Sequence, residues 1–311
     1  MTGLVASGLT DFLRAAVDPQ VQVDAIGIGA VYALMAVGIG LVFGVLRLVN
    51  FAYGQLVMAG AFALALASQW GWPQWAGIVL CFAVVLVLSM LMDRLVFRPL
   101  RGHSPAVMLV ATFAVAFLLQ SIALLWFGPL GKPAASLVTL NRPVTIGSLD
   151  VRKVTIVAIV VAAICLVALV LLLERTSIGL HMRAASMDFT TARLLGVRAN
   201  RVIASAVLIS GVLAAIVAVM LTIQFPLVTP GFALQDTIIV LAGVVVGGMN
   251  RLFSATLGGF AIGYVSGLLG GALPTDQSQY LPSLLFGLVI LVLLVRPAGV
   301  FARGGGPVER V

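Results

Sequence analysis

The sequence predicts an all-α integral membrane protein, a polytopic helical bundle, and three observations carry that prediction: composition, long apolar runs and the placement of basic residues. Of 311 residues, 62% are hydrophobic and only 9% charged, with a mean hydropathy of +1.20. Soluble domains carry about 25% charged residues, so a soluble fold is excluded. A helix needs about 20 apolar residues to cross a hydrocarbon core of about 30 Å. Runs of that kind occupy 26–46, 51–68, 75–91, 106–127, 154–173, 202–223, 237–248, 255–273 and 281–295. They give about nine spans, with eight and ten as alternatives. The run at 237–248 is short; it is either broken or begins earlier, near Phe232.

Basic residues orient the bundle. With the Arg-rich segment 174–201 taken as cytoplasmic and nine spans alternating, one side holds Arg47, Arg94, Arg98, Arg101, Arg175, Arg183, Arg193, Arg198, Arg201, Arg251, Arg296, Arg303 and Arg310. That is thirteen of the 18 basic residues; Arg14, Lys132, Arg142, Arg152 and Lys153 fall on the other side. The bias follows the positive-inside rule and predicts an N-terminus outside and a C-terminus in the cytoplasm. The net charge of +8 therefore reports orientation. A nucleic-acid partner would need a clustered basic face, and none is present.

The elements follow in chain order. Residues 1–24 lack the basic start and compact apolar run of a signal peptide. Leu4, Leu9, Phe12, Leu13, Ala16 and Val17 fit either a short interfacial helix on the outer surface or a frayed tail. The first two spans are joined around Asn50, Tyr53 and Gln55, with Gly54 and Gly60 close behind. Hydrocarbon does not tolerate such polar groups unpaired, and irregular backbone at membrane depth persists only when buried in protein or lining a watery cavity. Two readings stand: a tight turn at the cytoplasmic surface, or a broken helix shaping a pathway. Cys81 and Cys165 fall within spans and read as packing residues; His103 and His181 read as solvated loop residues. The outer loop 128–152 alternates over 144–151 around Gly147-Ser148, which predicts a small hairpin.

Segment 174–201 is the longest polar stretch on the cytoplasmic side. From Met182 to Leu195 it reads as a helix, with Met187, Thr191 and Leu194 along one face and Gly196 as its terminator. Such a helix suits docking into a partner's groove or lying on the lipid surface. Farther on, Gly259, Gly263, Gly267 and Gly271 recur every four residues, and Gly243 and Gly247 form another such pair. Small residues at this spacing let helices approach closely, inside the bundle or at a subunit interface.

Several chemistries are missing. The span centres are expected to hold no charge; Asp93 and Arg94 lie at a span end, and Asp236 is placed near the outer mouth of the seventh span. The Gly131-Lys132 pair has Trp126 where a P-loop needs its first glycine. No metal-binding or hydrolase motif occurs, so neither cofactor nor metal is implied. The energy for transport either comes from another subunit or is not needed.

Several fragments then carry a resemblance: Gly29-Ala30-Val31-Tyr32-Ala33-Leu34, Asn50-Phe51-Ala52-Tyr53-Gly54-Gln55 with Met58-Ala59-Gly60, Arg183-Ala184 with Ala192 and Gly196-Val197, Gly247-Gly248 with Gly258-Gly259, and the ending Arg296-Pro297-Ala298-Gly299-Val300-Phe301. In this order and spacing the chain resembles the H-type permease subunits of bacterial branched-chain amino acid ABC importers. The resemblance implies a transport subunit of the inner membrane rather than an enzyme. It would pair with a second related permease, two cytoplasmic ATPase subunits and a periplasmic solute-binding protein, with lipid around it. The chain would then divide into an outer segment 1–24, a permease domain 25–298 and a tail 299–311. Within segment 174–201, Arg183, Ala184, Ala185, Asp188, Ala192 and Gly196 would form the coupling helix that meets the ATPase. Arg183 stands where many importer permeases have Glu, Tyr53 where many relatives have His, and Asp236 where apolar residues are commoner. Asn50, Tyr53, Gln55 and Asp236 are the pathway candidates. Branched-chain amino acids, urea or short amides remain open as substrates. A stand-alone channel and a membrane-embedded enzyme or scaffold are the competing readings.

Overall fold

The computed structural model describes residues 17–300 except 47–48, 101–102, 135–139, 141, 147–148, 188, 249–251, 274–276 and 297–298. Most of the outer segment 1–24 and of the tail 299–311, together with Asp188, lies outside the described residues.

Eleven helices are described: α1 (Pro19–Leu46), α2 (Tyr53–Gln69), α3 (Gln74–Met92), α4 (Pro105–Phe127), α5 (Lys153–Arg175), α6 (Ser177–Met187), α7 (Phe189–Leu194), α8 (Ala199–Gln224), α9 (Leu234–Gly247), α10 (Leu252–Ala272) and α11 (Leu281–Val295). Seven helical stretches, those of α1, α3, α4, α5, α8, α10 and α11, are long and apolar enough to cross a membrane. The chain is thus an all-α polytopic membrane protein. α2 has 17 residues and α9 has 14, about 26 Å and 21 Å at 1.5 Å per residue, short of a full hydrocarbon core.

Helix α1 begins at Pro19 rather than at the apolar run from 26. Asp18 explains the earlier start: its Oδ1 accepts the Gln20 N–H at 2.9 Å, and Pro19 in the first turn has no N–H to lose. The helix then runs through the centre of the bundle, with Ala30 to Val37 all buried. Its most extensive partner is α10, followed by α8, α5 and α9. The contact with α10 is set by small residues. A Cβ built on Gly263 would stand 2.7 Å from Tyr32 Cβ, one on Gly267 would stand 2.5 Å from Ala25 Cα, and one on Gly271 would stand 2.7 Å from Val21 Cγ1. Gly259 meets Ala36 and the Tyr32 carbonyl in the same way. All four therefore face α1 of the same chain, which runs antiparallel to α10.

Outward faces are apolar. Val107, Val110, Phe117 and Leu125 of α4 and Ile290, Leu291 and Leu294 of α11 are exposed, as lipid contact requires. Trp70, Trp72 and Trp75 cluster where α2 hands over to α3, with Trp126 near the end of α4, the amphipathic rings expected at a headgroup boundary. After α3 the helix widens into a π-helical turn, Asp93–Phe97, where buried Asp93 accepts a hydrogen bond from Arg98 Nε at 2.8 Å.

The outer loop contains the expected hairpin. Strand β2 (Pro143–Ile146) pairs antiparallel with β3 (Leu149–Arg152). Gln20 fastens it to α1, its side-chain amide donating to Asp150 O at 2.9 Å and accepting from Asp150 N at 3.1 Å. A second pair joins β1 (Lys132–Pro133) to β4 (Leu227–Val228).

Candidate translocation site

Two helices start inside the bundle rather than at its surface. The first residue of α2, Tyr53, lies against Gly38 of α1. Leu46 ends α1 eight residues later, about 12 Å farther along the axis, so the chain doubles back before α2 begins. Parts of the connection are buried. Asn50 and Ala52 are 2% and 0% exposed, and Asn50 Oδ1 accepts the Ala52 N–H at 3.0 Å. Thr112 of α4 donates to Val49 O at 3.4 Å, and Phe51 meets Phe113 edge-on. The described polar groups of this connection thus find protein partners, the condition under which irregular backbone is tolerated away from water.

Helix α9 opens at the same level. Gly54 of α2 lies so close to it that an added Cβ would stand 2.8 Å from Ala233 O and 3.1 Å from Thr237 Cβ. Its first turn carries Asp236, and Tyr32 Oη donates to Asp236 Oδ1 at 2.7 Å. Ser266 of α10 hydrogen-bonds the same tyrosine side chain. Because Tyr32 stands at the midpoint of α1, the carboxylate lies at membrane depth, not at an outer mouth. The expectation of charge-free span centres is corrected here: α9 is short, so its first turn is already inside.

The energetics are close to balanced. A carboxylate at the centre of a membrane helix costs roughly 2.5–3.5 kcal/mol by insertion scales. A helix N-terminus returns about 0.3–1 kcal/mol, and a hydrogen bond to a charged group about 1.5–3 kcal/mol. These terms offset part or all of that cost. Among the described residues the only salt bridge is Arg98–Asp93, so Asp236 has no cationic side chain beside it.

Polar residues occur at the same end of α9 as Asp236. Gln235 and Gly231 are exposed, and Gln120 Nε2 of α4 lies 3.9 Å from where a Cβ on Gly231 would stand. Gln120 is about 9 Å below Trp126 along α4, hence also at membrane depth. An exposed amide such as Gln235 has no place against lipid. Of the four pathway candidates, Asn50 is tied to its own turn, while Tyr53 Oη and Gln55 Oε1 are buried without a hydrogen-bond partner. Only Asp236 is partly exposed.

Within segment 174–201 helix is described over Ser177–Met187 and Phe189–Leu194, so it begins five residues before Met182. Thr176 turns the chain sharply after α5: its Oγ1 accepts the Gly179 N–H at 3.1 Å and so caps α6. Met182, Ala185 and Ala192 are buried, whereas Leu194 and Leu195 are 84% and 81% exposed. Arg183 is exposed and Ala184 half-buried. Gly196 ends α7 at φ +90°, with Val197 N–H donating to Ala192 O at 3.0 Å, the six-to-one bond of a glycine-terminated helix. Arg183, Leu194, Leu195 and Gly196 thus make the open surface of this segment.

Comparison with known proteins places this architecture. Residues 23–294 match the family described as "Branched-chain amino acid transport system / permease component". The chain belongs to this permease family. It is 30% identical over 296 residues to the "High-affinity branched-chain amino acid transport system permease protein BraD" of Pseudomonas aeruginosa, covering 91% of this chain and 95% of that protein. It is 26% identical over 298 residues to the corresponding permease LivH of Escherichia coli K12, with the same coverage. Among solved structures, PsaBC from Streptococcus pneumoniae in complex with Fab matches with a TM-score of 0.50 at 12% identity, covering 93% of this chain and 97% of that one; this likeness concerns the fold alone.

As a member of this permease family the chain is a multi-pass transport subunit of the inner membrane, not an enzyme. Its fold joins Tyr32 to Asp236 and brings Gln120 near Gly231, shortly before α9; of these side chains sequence reading singles out only Asp236 as a pathway candidate. The available signal was slight: Gln120 is the one amide in the apolar run 106–127, and Tyr32 the one hydroxyl in the run 26–46.

Proposed function

We propose that the chain is the membrane-spanning permease subunit of an ATP-driven ABC importer for branched-chain or related amino acids. The match to the permease family over residues 23–294 carries this reading. Nine helices then serve as spans, α1 to α5 and α8 to α11, with the N-terminus outside and the C-terminus in the cytoplasm. A second related permease completes the membrane unit, two ATPase subunits power it, and a periplasmic binding protein delivers the substrate. The end of α9 that carries Asp236, with Gln235 exposed beside it in sequence and Gln120 near Gly231, faces the aqueous pathway, because lipid does not suit an exposed amide at that depth. Asn50, Tyr53 and Gln55 shape the break behind it. Segment 183–196 is the coupling element, in which Arg183, Ala184, Ala185, Asp188, Ala192 and Gly196 either meet the ATPase or hold the meeting surface in place. Nucleotide-driven closure of the ATPases rocks the helices between outward- and inward-open states.

The test is recovery of tagged chain from detergent-solubilised native membranes, with mass spectrometry of what accompanies it. An ATPase pair and a second permease should be recovered, and should be lost when Arg183 and Gly196 are altered. Recovery of the chain alone, in a stable form, would overturn the importer reading in favour of a channel.

A further inference from the structure

We infer that Asp236, held by Tyr32, is the point in the pathway that recognises the ammonium group of the transported amino acid. This deepens the importer reading and rests on it. The Asp236 carboxylate lies at membrane depth, level with the midpoint of α1, and is half-buried. One of its oxygens, Oδ1, is engaged by the Tyr32 hydroxyl at 2.7 Å. That hydrogen bond orients the group and leaves Oδ2 with its acceptor capacity. No described arginine, lysine or histidine forms an ion pair with it. An intramembrane carboxylate without a counter-ion is the arrangement expected where the counter-ion is what passes through.

The neighbouring groups fit an ammonium. A primary ammonium offers three N–H donors and no acceptor. Asp236 Oδ2 supplies an acceptor, and the Gln235 side chain, one position earlier in the first turn of α9, is exposed. Thr237, the next residue, spends its hydroxyl on Ala233 O at 2.6 Å, so it does not compete for the carboxylate. A substrate carrying both an ammonium and an aliphatic side chain would present its cationic end here, while the apolar part lies against the bundle. An uncharged amide or urea would gain nothing from the charge.

The inference is tested on the complete importer in proteoliposomes, with ATP inside the compartment that holds the ATPases and saturating loaded binding protein outside. Uptake of radiolabelled leucine is the readout, with recovery of assembled complex measured alongside. Asp236→Asn should slow uptake at least ten-fold, Asp236→Glu should retain a third or more, and Tyr32→Phe should fall between them, all with undiminished assembly. Uptake by Asp236→Asn equal to wild type would overturn the inference. So would a loss that Asp236→Glu does not relieve, which marks a packing role. Sodium- or proton-gradient dependence of wild-type uptake that Asp236→Asn abolishes would assign the carboxylate to an inorganic cation instead. Failure of the wild-type complex to take up any amino acid with ATP sinks the importer reading itself and is distinct from all three.

Discussion

The ring of Tyr53 covers Gly38: a Cβ added to Gly38 would stand 2.8 Å from Tyr53 Cζ, and the phenol oxygen lies closer still. The Tyr53 hydroxyl is buried there without a hydrogen-bond partner. Gly38→Ala should therefore destabilise the chain by about 1–3 kcal/mol through overpacking. Removing the hydroxyl should relieve part of this, so Tyr53→Phe combined with Gly38→Ala should lose less than Gly38→Ala alone. Thermal unfolding in detergent would measure both.

Tyr53→Phe by itself separates packing from transport. An unpaired buried hydroxyl costs about 1–3 kcal/mol, so the phenylalanine variant should be as stable as wild type or more so. A fall in uptake in that stable variant would assign the hydroxyl to the pathway; unchanged uptake would leave Tyr53 a packing residue.

The α1–α10 seam predicts a contrast between two glycines. Gly267 lies against the Ala25 backbone, which cannot move aside as a side-chain tip can. Gly267→Ala should lower the melting temperature measurably, with a loss of about 1–3 kcal/mol. Gly287 of α11 has nothing within 4 Å of an added Cβ, and Gly287→Ala should stay within about 0.5 kcal/mol of wild type.

Arg98→Met removes the Arg98 guanidinium from buried Asp93. Full burial of both partners would make such a loss about 3–5 kcal/mol. The Arg98 side chain is 41% exposed, so screening reduces the expectation to about 1–2 kcal/mol. Melting in low and high salt checks it: the gap between wild type and variant should narrow as salt rises.

Gly196 adopts φ +90°, where a Cβ adds about 1–2 kcal/mol of strain. Gly196→Ala should fray the end of α7 and reduce recovery of ATPase subunits in the pull-down, with little effect on the melting of the bundle. Leu194→Ser with Leu195→Ser should reduce recovery without fraying, which circular dichroism and the pull-down together distinguish.

Much of the fold was legible because hydrocarbon imposes one rule on every span: about 20 apolar residues, with the break points polar. The runs beginning at 26, 75, 106, 154, 202, 255 and 281 each appear as a helix for that reason. The hairpin at 143–152 was legible from alternation. Depth was not. Periodicity marks where a helix begins along the chain but not how far below the surface it begins, so Asp236 read as a residue at a mouth. Only the hydrogen bond from Tyr32, 204 positions away in sequence, fixes its level. The candidate site was legible in Asp236 alone, since its partner Tyr32 lies in a different segment and only packing unites the two.

Helix α9 has one more consequence, for the order in which the chain is built. Fourteen residues carrying an aspartate make a poor stop signal for an insertion machinery that reads apolar length. Gly243 and Gly247 meet Gly258 of α10 in close backbone contact, across a connection of only four residues, 248–251. Insertion of the two helices together, as a hairpin, is the expected outcome. Substituting Gly258 would then show itself first during biosynthesis, as chains whose later segments emerge on the wrong side of the membrane.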